Sequence, residues 1–314
     1  CPELGCPCGC SYCAQRQDGM IYCWGDDRDF IPSGGVPIDE AVHTPAAIDL
    51  GGAATTLAMS HNIAIAVVGG QALLWGKAWN GMANTGVSDV EAFEPTPVTD
   101  PDTGLPFTDV IDADSEGTAS CILRDEGTVW CWGSGAGMGP GPAESMGDWW
   151  TATPLRYTQG GEIVTGVIDF CMGCWIVEAE GVKTTYCGDE PTPIETPGGV
   201  ELVDIECGAA HTCGLDAAGQ AYCWGSGEAG QLGDGVATSS ESAVAVKRDI
   251  FTTGLGAPVV ALTLDGDTSC ASTEEGARFC WGDLSPRGLE QTSAFATPMD
   301  DGIALTRGDC WLSD

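Results

Sequence analysis

The sequence predicts an all-β chain, a seven-bladed β-propeller with four-stranded antiparallel blades and disulfide-stapled hairpins. Three observations predict it. Two cysteines ten positions apart, followed by Trp-Gly, recur along the chain. The recurrence has the long period of a repeat architecture, with intervals of 50, 58, 53, 39, 57 and 40 residues between successive units. Gly at 46 and Pro at 18 of 314 residues supply turns for many short strands.

The hairpin comes first. Cys13 to Cys23 is followed by Trp24-Gly25, Cys121 to Cys131 by Trp132-Gly133, Cys213 to Cys223 by Trp224-Gly225, and Cys270 to Cys280 by Trp281-Gly282. Pairing each first cysteine with its second places a three-residue loop between two antiparallel strands, with Gly19, Gly127, Gly219 or Gly276 last. That is the type I turn plus left-handed residue preferred by such hairpins. Directly opposed strand residues lie within disulfide range, so each pair can staple its own hairpin. A loop this short gains about 2–3 kcal/mol from its staple on the chain-entropy account. A further copy runs from Ile63 to Leu74, then Trp75-Gly76, and is one residue longer. Ile63 and Leu74 are expected to be the apolar counterparts of the two cysteines. Another, Cys174 to Cys187 then Gly188, is stretched and lacks the Trp, and a last one starts at Cys310.

The flanking strands follow. Before most hairpins stands a short apolar segment: Val110-Ile111, Val167-Ile168, Leu202 to Ile205, Val259 to Leu262 and Ile303 to Leu305. After most stands Thr-Pro, at 44–45, 96–97, 153–154, 192–193 and 297–298. Proline suits an edge strand, where no backbone donor is needed. Inner strand, two hairpin strands and outer strand make a propeller blade. The expected organisation is one domain over residues 1–314, with pivots at Cys13, Ile63, Cys121, Cys174, Cys213, Cys270 and Cys310 and with the terminal segments closing a ring of seven.

Residues 208–215 (Gly-Ala-Ala-His-Thr-Cys-Gly-Leu), Ala221-Tyr222 and residues 224–235 (Trp-Gly-Ser-Gly-Glu-Ala-Gly-Gln-Leu-Gly-Asp-Gly) resemble the regulator of chromosome condensation repeat family. Weaker echoes are Ser60 to Ile63 and Trp75 to Met82. The resemblance implies a seven-bladed propeller, and the hairpin cysteines make it look like a secreted, disulfide-containing bacterial branch. It carries over a fold and not an activity. The family's nuclear founder is an exchange factor that binds chromatin, and no exchange-factor residue can be placed on this sequence. A secreted inhibitor of another enzyme, built on the same propeller, is the nearer analogue.

Charge and cysteine content narrow the setting. With 46 Asp and Glu against 11 Lys and Arg, the formal charge is −35. That argues against nucleic acid and against anionic lipid, since both need a basic face. It also keeps a surface soluble at high salt without implying a basic partner. Charged residues at 18% and hydrophobic ones at 43% describe a globular chain. No apolar run reaches the roughly 20 residues of a membrane helix. Seventeen cysteines point to an oxidising compartment and hence to an extracellular or cell-surface setting. Cys1 is a candidate lipid-anchor position, the alternative being a boundary set by processing.

Other groups each admit a structural role. Cys6, Cys8, Cys10 and Cys13 have the look of a soft-metal thiolate cluster, but Cys13 is already partnered. Cys6, Cys8 and Cys10 are instead expected in disulfides of open connectivity, with one staple from this segment to Cys310 closing the ring. Cys171-Met172-Gly173-Cys174 matches a redox Cys-x-x-Cys, yet Cys174 occupies a hairpin position, and a Cys171–Cys207 bridge between inner strands is expected. Asp112, Asp114 and Glu116 mimic the start of a calcium loop, but Leu123 stands where the closing Glu belongs. Asp265 and Asp267 fall at the same place in their unit. His61 and His211 precede their pivots by two residues and are expected to make a hydrogen bond at the strand start. His43 stands apart, and no Ser-His-Asp constellation is visible. Five Trp residues belong to the repeat as packing. Trp149, Trp150 and Trp79 lie in loop insertions and are candidate partner anchors.

The expected function is a non-catalytic protein-interaction scaffold, secreted or on the cell surface, with protein partners, no cofactor, no metal and no nucleic acid. The alternatives are an inhibitor of a secreted enzyme using one propeller face, and a metal or redox protein using the N-terminal cysteines.

Overall fold

In a computed structural model, the described residues are 11–16, 18–25, 42–60, 63–78, 84, 90–116, 119–133, 149–154, 162–188, 192–248, 254–285 and 292–299. Among them are 23 β-strands, and no helix is long and apolar enough to cross a membrane. The chain divides into two compact units, residues 1–167 with 188–191, and residues 168–187 with 192–314.

In the first unit, β1 (Ser11–Gln15), β2 (Ile21–Gly25) and β3 (Val42–Ile48) form a three-stranded sheet. Next come β4 (Ala54–Met59), β5 (Ile63–Val68), β6 (Gln71–Ala78) and β7 (Val90–Pro97), then β8 (Val110–Glu116), β9 (Ala119–Arg124), β10 (Val129–Gly133) and β11 (Trp149–Pro154), each a four-stranded sheet in chain order. In the second unit the same sheet recurs three times. The first comprises β12 (Val167–Cys171), β13 (Cys174–Ala179), β14 (Val182–Cys187) and β15 (Thr192–Pro193). The second comprises β16 (Leu202–Cys207), β17 (His211–Asp216), β18 (Ala221–Gly225) and β19 (Ser240–Ala245). The third comprises β20 (Val259–Asp265), β21 (Thr268–Thr273), β22 (Arg278–Asp283) and β23 (Thr292–Met299).

These antiparallel meanders are the blades of a β-propeller. The described residues form six blades, not the expected seven. Each of the six contains one hairpin, from the Cys13 unit to the Cys270 unit. The Cys310 unit that made the seventh lies outside the described residues, as do Cys1, Cys6, Cys8 and Cys10. The Thr-Pro segments all fall in or at the end of the outermost strands β3, β7, β11, β15 and β23, where a missing N–H costs no ladder bond.

The four three-residue turns form as their glycines require. Gly19, Gly127, Gly219 and Gly276 have φ of 80°, 78°, 74° and 81°. In each turn the Gly N–H donates three residues back, to Arg16, Arg124, Asp216 and Thr273 respectively, over 2.9 Å. The turn glycine also speaks to the next blade. Ala54, Val110 and Val259, at the starts of β4, β8 and β20, donate their N–H to the carbonyls of Gly19, Gly70 and Gly219 at 2.9 Å. At Gly219 a Cβ would stand 2.7 Å from Pro258 Cβ and 2.8 Å from Val259 N, so this approach admits only hydrogen.

One register differs from expectation. Ile63 lies opposite Gly76, and it is Ile65 that faces Leu74. The hairpin turns on two residues, Gly69-Gly70, with Val68 opposite Gln71 and φ of 57° and 82°, the two-glycine form that matches strand twist. Counting back from Trp75 therefore makes Ile65 the counterpart of Cys213, and Ile63 the counterpart of His211. His61 loses its proposed equivalence with His211, and its structure lies outside the described residues.

The core of each blade is built by the repeat. Trp24, Trp75 and Trp132 in the first unit, and Trp224 and Trp281 in the second, are buried. Ile65, Leu74, Ile122 and Trp132 belong to one apolar cluster, and Cys213, Cys223, Leu232 and Trp281 to another.

Candidate functional site

The cysteines divide by the job each bond does. Cys13–Cys23, Cys121–Cys131, Cys174–Cys187, Cys213–Cys223 and Cys270–Cys280 are disulfides across hairpins, with Cα atoms 4.0–4.1 Å apart. In every one the two residues are directly opposed in the strand register. Cys171–Cys207 instead ties the inner strand β12 to the inner strand β16, across Cα atoms 5.6 Å apart. Its sulfurs do not stand alone. Cys171, Cys174 and Cys207 Sγ all lie within 4.8 Å of one another, so two disulfides share one spot in the second unit. Thr212 Oγ1 sits beside both, 3.6 Å from Cys174 Sγ and 3.7 Å from Cys207 Sγ. Each of these sulfurs is spent in a disulfide, so the site offers no thiolate ligand for a metal as it stands.

A second polar centre is built around His211, the first residue of β17. Its Nε2 lies 2.7 Å from Ser269 Oγ on β21 of the next blade, and Ser269 Oγ donates to Gln231 O at 2.9 Å. Ser269 has one hydroxyl proton, and the carbonyl takes it, so His211 must donate from Nε2. Nδ1 is then an unprotonated acceptor, and it has no hydrogen-bond partner in its buried position. Burial lowers the His211 pKa to about 4, against a smaller opposing pull from Asp267. The arrangement looks like a Ser-His pair but has the wrong proton direction for one: the histidine gives a proton to the hydroxyl and cannot accept the one already donated to Gln231.

Gln231 completes the centre. Trp281 Nε1 also donates to Gln231 O, at 2.8 Å, and Gln231 Nε2 donates to Asp267 Oδ1 at 3.0 Å. The loop of residues 226–235 thereby docks onto the blade β20–β23, and Gly233 packs so closely on Trp281 that a Cβ would stand 2.7 Å from its Nε1. Asp267 is thus held by a glutamine rather than poised for calcium. In the first unit Asp112 accepts from Thr56 Oγ1 at 3.0 Å, and Asp114 accepts from the Ser115 N–H at 2.8 Å. Both lie on the strand β8 and not on a cation-binding loop.

Sequence reasoning placed Trp149 and Trp150 in an insertion before the outer strand. They are instead the first two residues of that strand, β11, with Trp149 opposite Gly133. Trp79 lies outside the described residues. A surface feature that the sequence reading missed lies on the inner strands. Their second residues in the second unit, Ile168, Val203 and Val260, are exposed, at 36%, 36% and 61%. In β16 and β20 the register slips at this residue, Val203 and Val260 being skipped by their partners, and such a bulge turns a side chain away from the ladder. In the first unit Ile111 of β8 stands at the same slip, also exposed. The signal was present in Val110-Ile111, Val167-Ile168, Leu202-Val203 and Val259-Val260, but two adjacent apolar residues do not reveal which one faces water.

Comparison with known proteins agrees with this architecture. The regulator of chromosome condensation (RCC1) repeat matches residues 202–231, which run from β16 through Gln231. The human E3 ubiquitin-protein ligase HERC2 is 36% identical over 98 residues, covering 30% of this chain and 2% of the ligase. The rat probable E3 ubiquitin-protein ligase HERC4 is 29% identical over 96 residues, 31% of this chain and 9% of the ligase. The matched stretch therefore spans less than a tenth of these curated relatives. Among solved structures, human WBSCR16 superposes with a TM-score of 0.69 at 17% identity, over 93% of this chain and 79% of that one. The Saccharomyces cerevisiae protein Prp20p superposes at 0.68 with 15% identity, over 94% and 76%. At such identities the likeness is one of fold. The regulator of chromosome condensation repeat is thus matched in sequence over residues 202–231, and the propeller is matched in fold over most of the chain.

Proposed function

We propose that this chain is a non-catalytic protein-interaction scaffold, one propeller domain that works in an oxidising setting, secreted or on a cell surface. The observation that carries the reading is the exposed row Ile168, Val203 and Val260, one β-branched aliphatic per blade at the same strand position. Exposed apolar residues scattered singly need no explanation, but a set repeated by the architecture is the kind of surface that a protein partner covers. The polar centres support the same reading by being consumed internally: the His211 proton goes to Ser269, and Asp267 goes to Gln231. The oxidising setting is supported by the twelve cysteines of the described residues, all paired in six disulfides. The structural neighbour Prp20p is described by its binding to Gsp1p and histones, which makes protein binding a known use of this fold.

The test joins location to surface. Fractionation of the source cells should place the protein outside the cytosol with these cysteines inert to alkylation. The immobilised protein should capture a defined partner from the same fraction, and Val203→Asp with Val260→Asp should lose that partner while keeping the near-ultraviolet circular dichroism of the parent. A cytosolic protein with alkylatable cysteines would overturn the setting. Equal capture by the double variant would overturn the surface.

A further inference from the structure

The two neighbouring disulfides of the second unit hold more chemistry than a staple needs. Cys171 and Cys174 flank a two-residue turn, Met172-Gly173, with Gly173 at φ 93°. A turn of this kind brings its flanking Cα atoms to within about 7 Å, close to the separation of roughly 4.4–6.8 Å that a disulfide spans. Yet Cys171 is bonded to Cys207 and Cys174 to Cys187. With the Sγ atoms of Cys171, Cys174 and Cys207 all within 4.8 Å of one another, no water fits between the two bonds. Cys171 and Cys174 are buried, whereas Cys187 and Cys207 are half-buried. Cys187 and Cys207, the far ends of the two bonds, are therefore the ones open to an outside reagent, and attack at Cys187 is the one that frees Cys174, the buried sulfur beside the Thr212 hydroxyl.

We propose that this cluster is a thiol–disulfide exchange site that takes an external thiol at Cys187 and exchanges the Cys171–Cys207 bond for a Cys171–Cys174 bond. The external thiolate attacks Cys187 Sγ. A mixed disulfide forms there, the Cys174–Cys187 bond breaks, and its electron pair leaves on Cys174 as thiolate. Cys174 Sγ then attacks Cys171 Sγ. The Cys171–Cys174 bond forms, the Cys171–Cys207 bond breaks, and Cys207 leaves as the thiolate that takes up a proton. One thiol is consumed and one appears, so no outside oxidant or reductant is required.

Thr212 is placed to help both ends of the second step. In the disulfide state neither Cys174 nor Cys207 carries a proton, so the hydroxyl between them is the only donor of the three. At 3.6 Å and 3.7 Å it reaches the sulfur that bears charge before the attack and the one that bears it afterwards. It acts as a positioning residue and forms no bond to the reacting sulfurs. The product differs from the starting state in one mechanical respect. Cys171–Cys207 joins the blade β12–β15 to the blade β16–β19, and Cys171–Cys174 joins nothing beyond its own turn.

The full chain is incubated with reduced glutathione, quenched in acid, alkylated and mapped by peptide mass. The expected product carries glutathione on Cys187, a Cys171–Cys174 bond and an alkylated Cys207. Alkylated Cys174 with Cys171–Cys207 intact would overturn the proposal, and so would a Cys174–Cys207 bond. Cys187→Ser provides an independent reading, because it leaves a Cys174 thiol with no external reagent present. It should show the same Cys171–Cys174 bond, and retention of Cys171–Cys207 would count against exchange. Thr212→Val should form the same product roughly tenfold more slowly, as loss of a hydrogen bond to a charged sulfur predicts. If the rate is unchanged, the role given to Thr212 is wrong. Should Cys187→Ser fail to fold, the glutathione map on the unaltered chain decides alone.

Discussion

The blades β4–β7 and β16–β19 solve one packing problem with different chemistry. At the pivot the first opposes Ile65 to Leu74, and the second opposes Cys213 to Cys223. The surrounding strands explain the choice. β5 is Ile-Ala-Ile-Ala-Val-Val, aliphatic throughout and buried over its first five residues. β17 is His-Thr-Cys-Gly-Leu-Asp, where equally deep burial includes a histidine, a threonine and a glycine. An aliphatic strand holds its partner by area removed from water. A strand spending positions on His211 and Thr212 has less area to offer, and a covalent cross-link makes up the difference. The blade therefore requires a filled cross-strand pair, and sulfur is one way to fill it.

The largest expected effect breaks the aliphatic solution. Leu74→Ala leaves a cavity opposite Ile65 and should cost about 4 kcal/mol, seen as a lower urea midpoint. Next comes the covalent solution. Cys213→Ala with Cys223→Ala should cost about 3 kcal/mol, and hydrogen exchange in the double variant should quicken in β17 and β18 while β5 and β6 stay protected.

The third prediction uses acid to separate the blades. His211 is neutral when folded, its pKa lowered to about 4, while an unfolded histidine titrates near 6.5. The unfolded state therefore binds the proton first. Stability from this group is complete above about pH 6.5, falls as pH drops through the window, and levels off below about 4, a loss of about 3 kcal/mol. Urea midpoints at pH 7, 5.5 and 4 should show this slope, and His211→Gln should flatten it relative to the parent. Asp267, the charge facing the ring, limits the loss by favouring the protonated form. The smallest effect sharpens the comparison: Ile65→Cys with Leu74→Cys, directly opposed but nine positions apart, should form a hairpin staple and raise stability by about 1–2 kcal/mol, whereas Ile63→Cys with Leu74→Cys should form none, because those residues are out of register.

The blades were legible wherever the sequence carried an unambiguous marker. Cysteine spacing with glycine at the turn marked both strand register and turn type, since only one pairing puts Gly219 in the left-handed position and Cys213 opposite Cys223. In the β4–β7 blade the markers vanish. Ile63 and Ile65 are interchangeable on paper, and a two-glycine turn in place of three residues moves the pairing by two. The His211 centre was half visible: a hydrogen bond at the strand start could be read from position, but Ser269, 58 residues away, is fixed by how one blade meets the next. Trp149 and Trp150 were misplaced because a Thr-Pro pair locates an outer strand without marking where it starts.

The carbonyls of Gly19, Gly70 and Gly219 have a consequence for how the chain is made. Each accepts from the first strand of the blade that follows it in sequence. A chain emerging from its N-terminus completes the turn at Gly19 before Ala54 exists, and the turn at Gly219 before Val259. The acceptor is thus waiting when its donor arrives, and each of these turns is a seat for the strand still to be synthesised. Assembly acquires a direction from this alone, and a fault in one turn is inherited by the blade downstream rather than by the one already built.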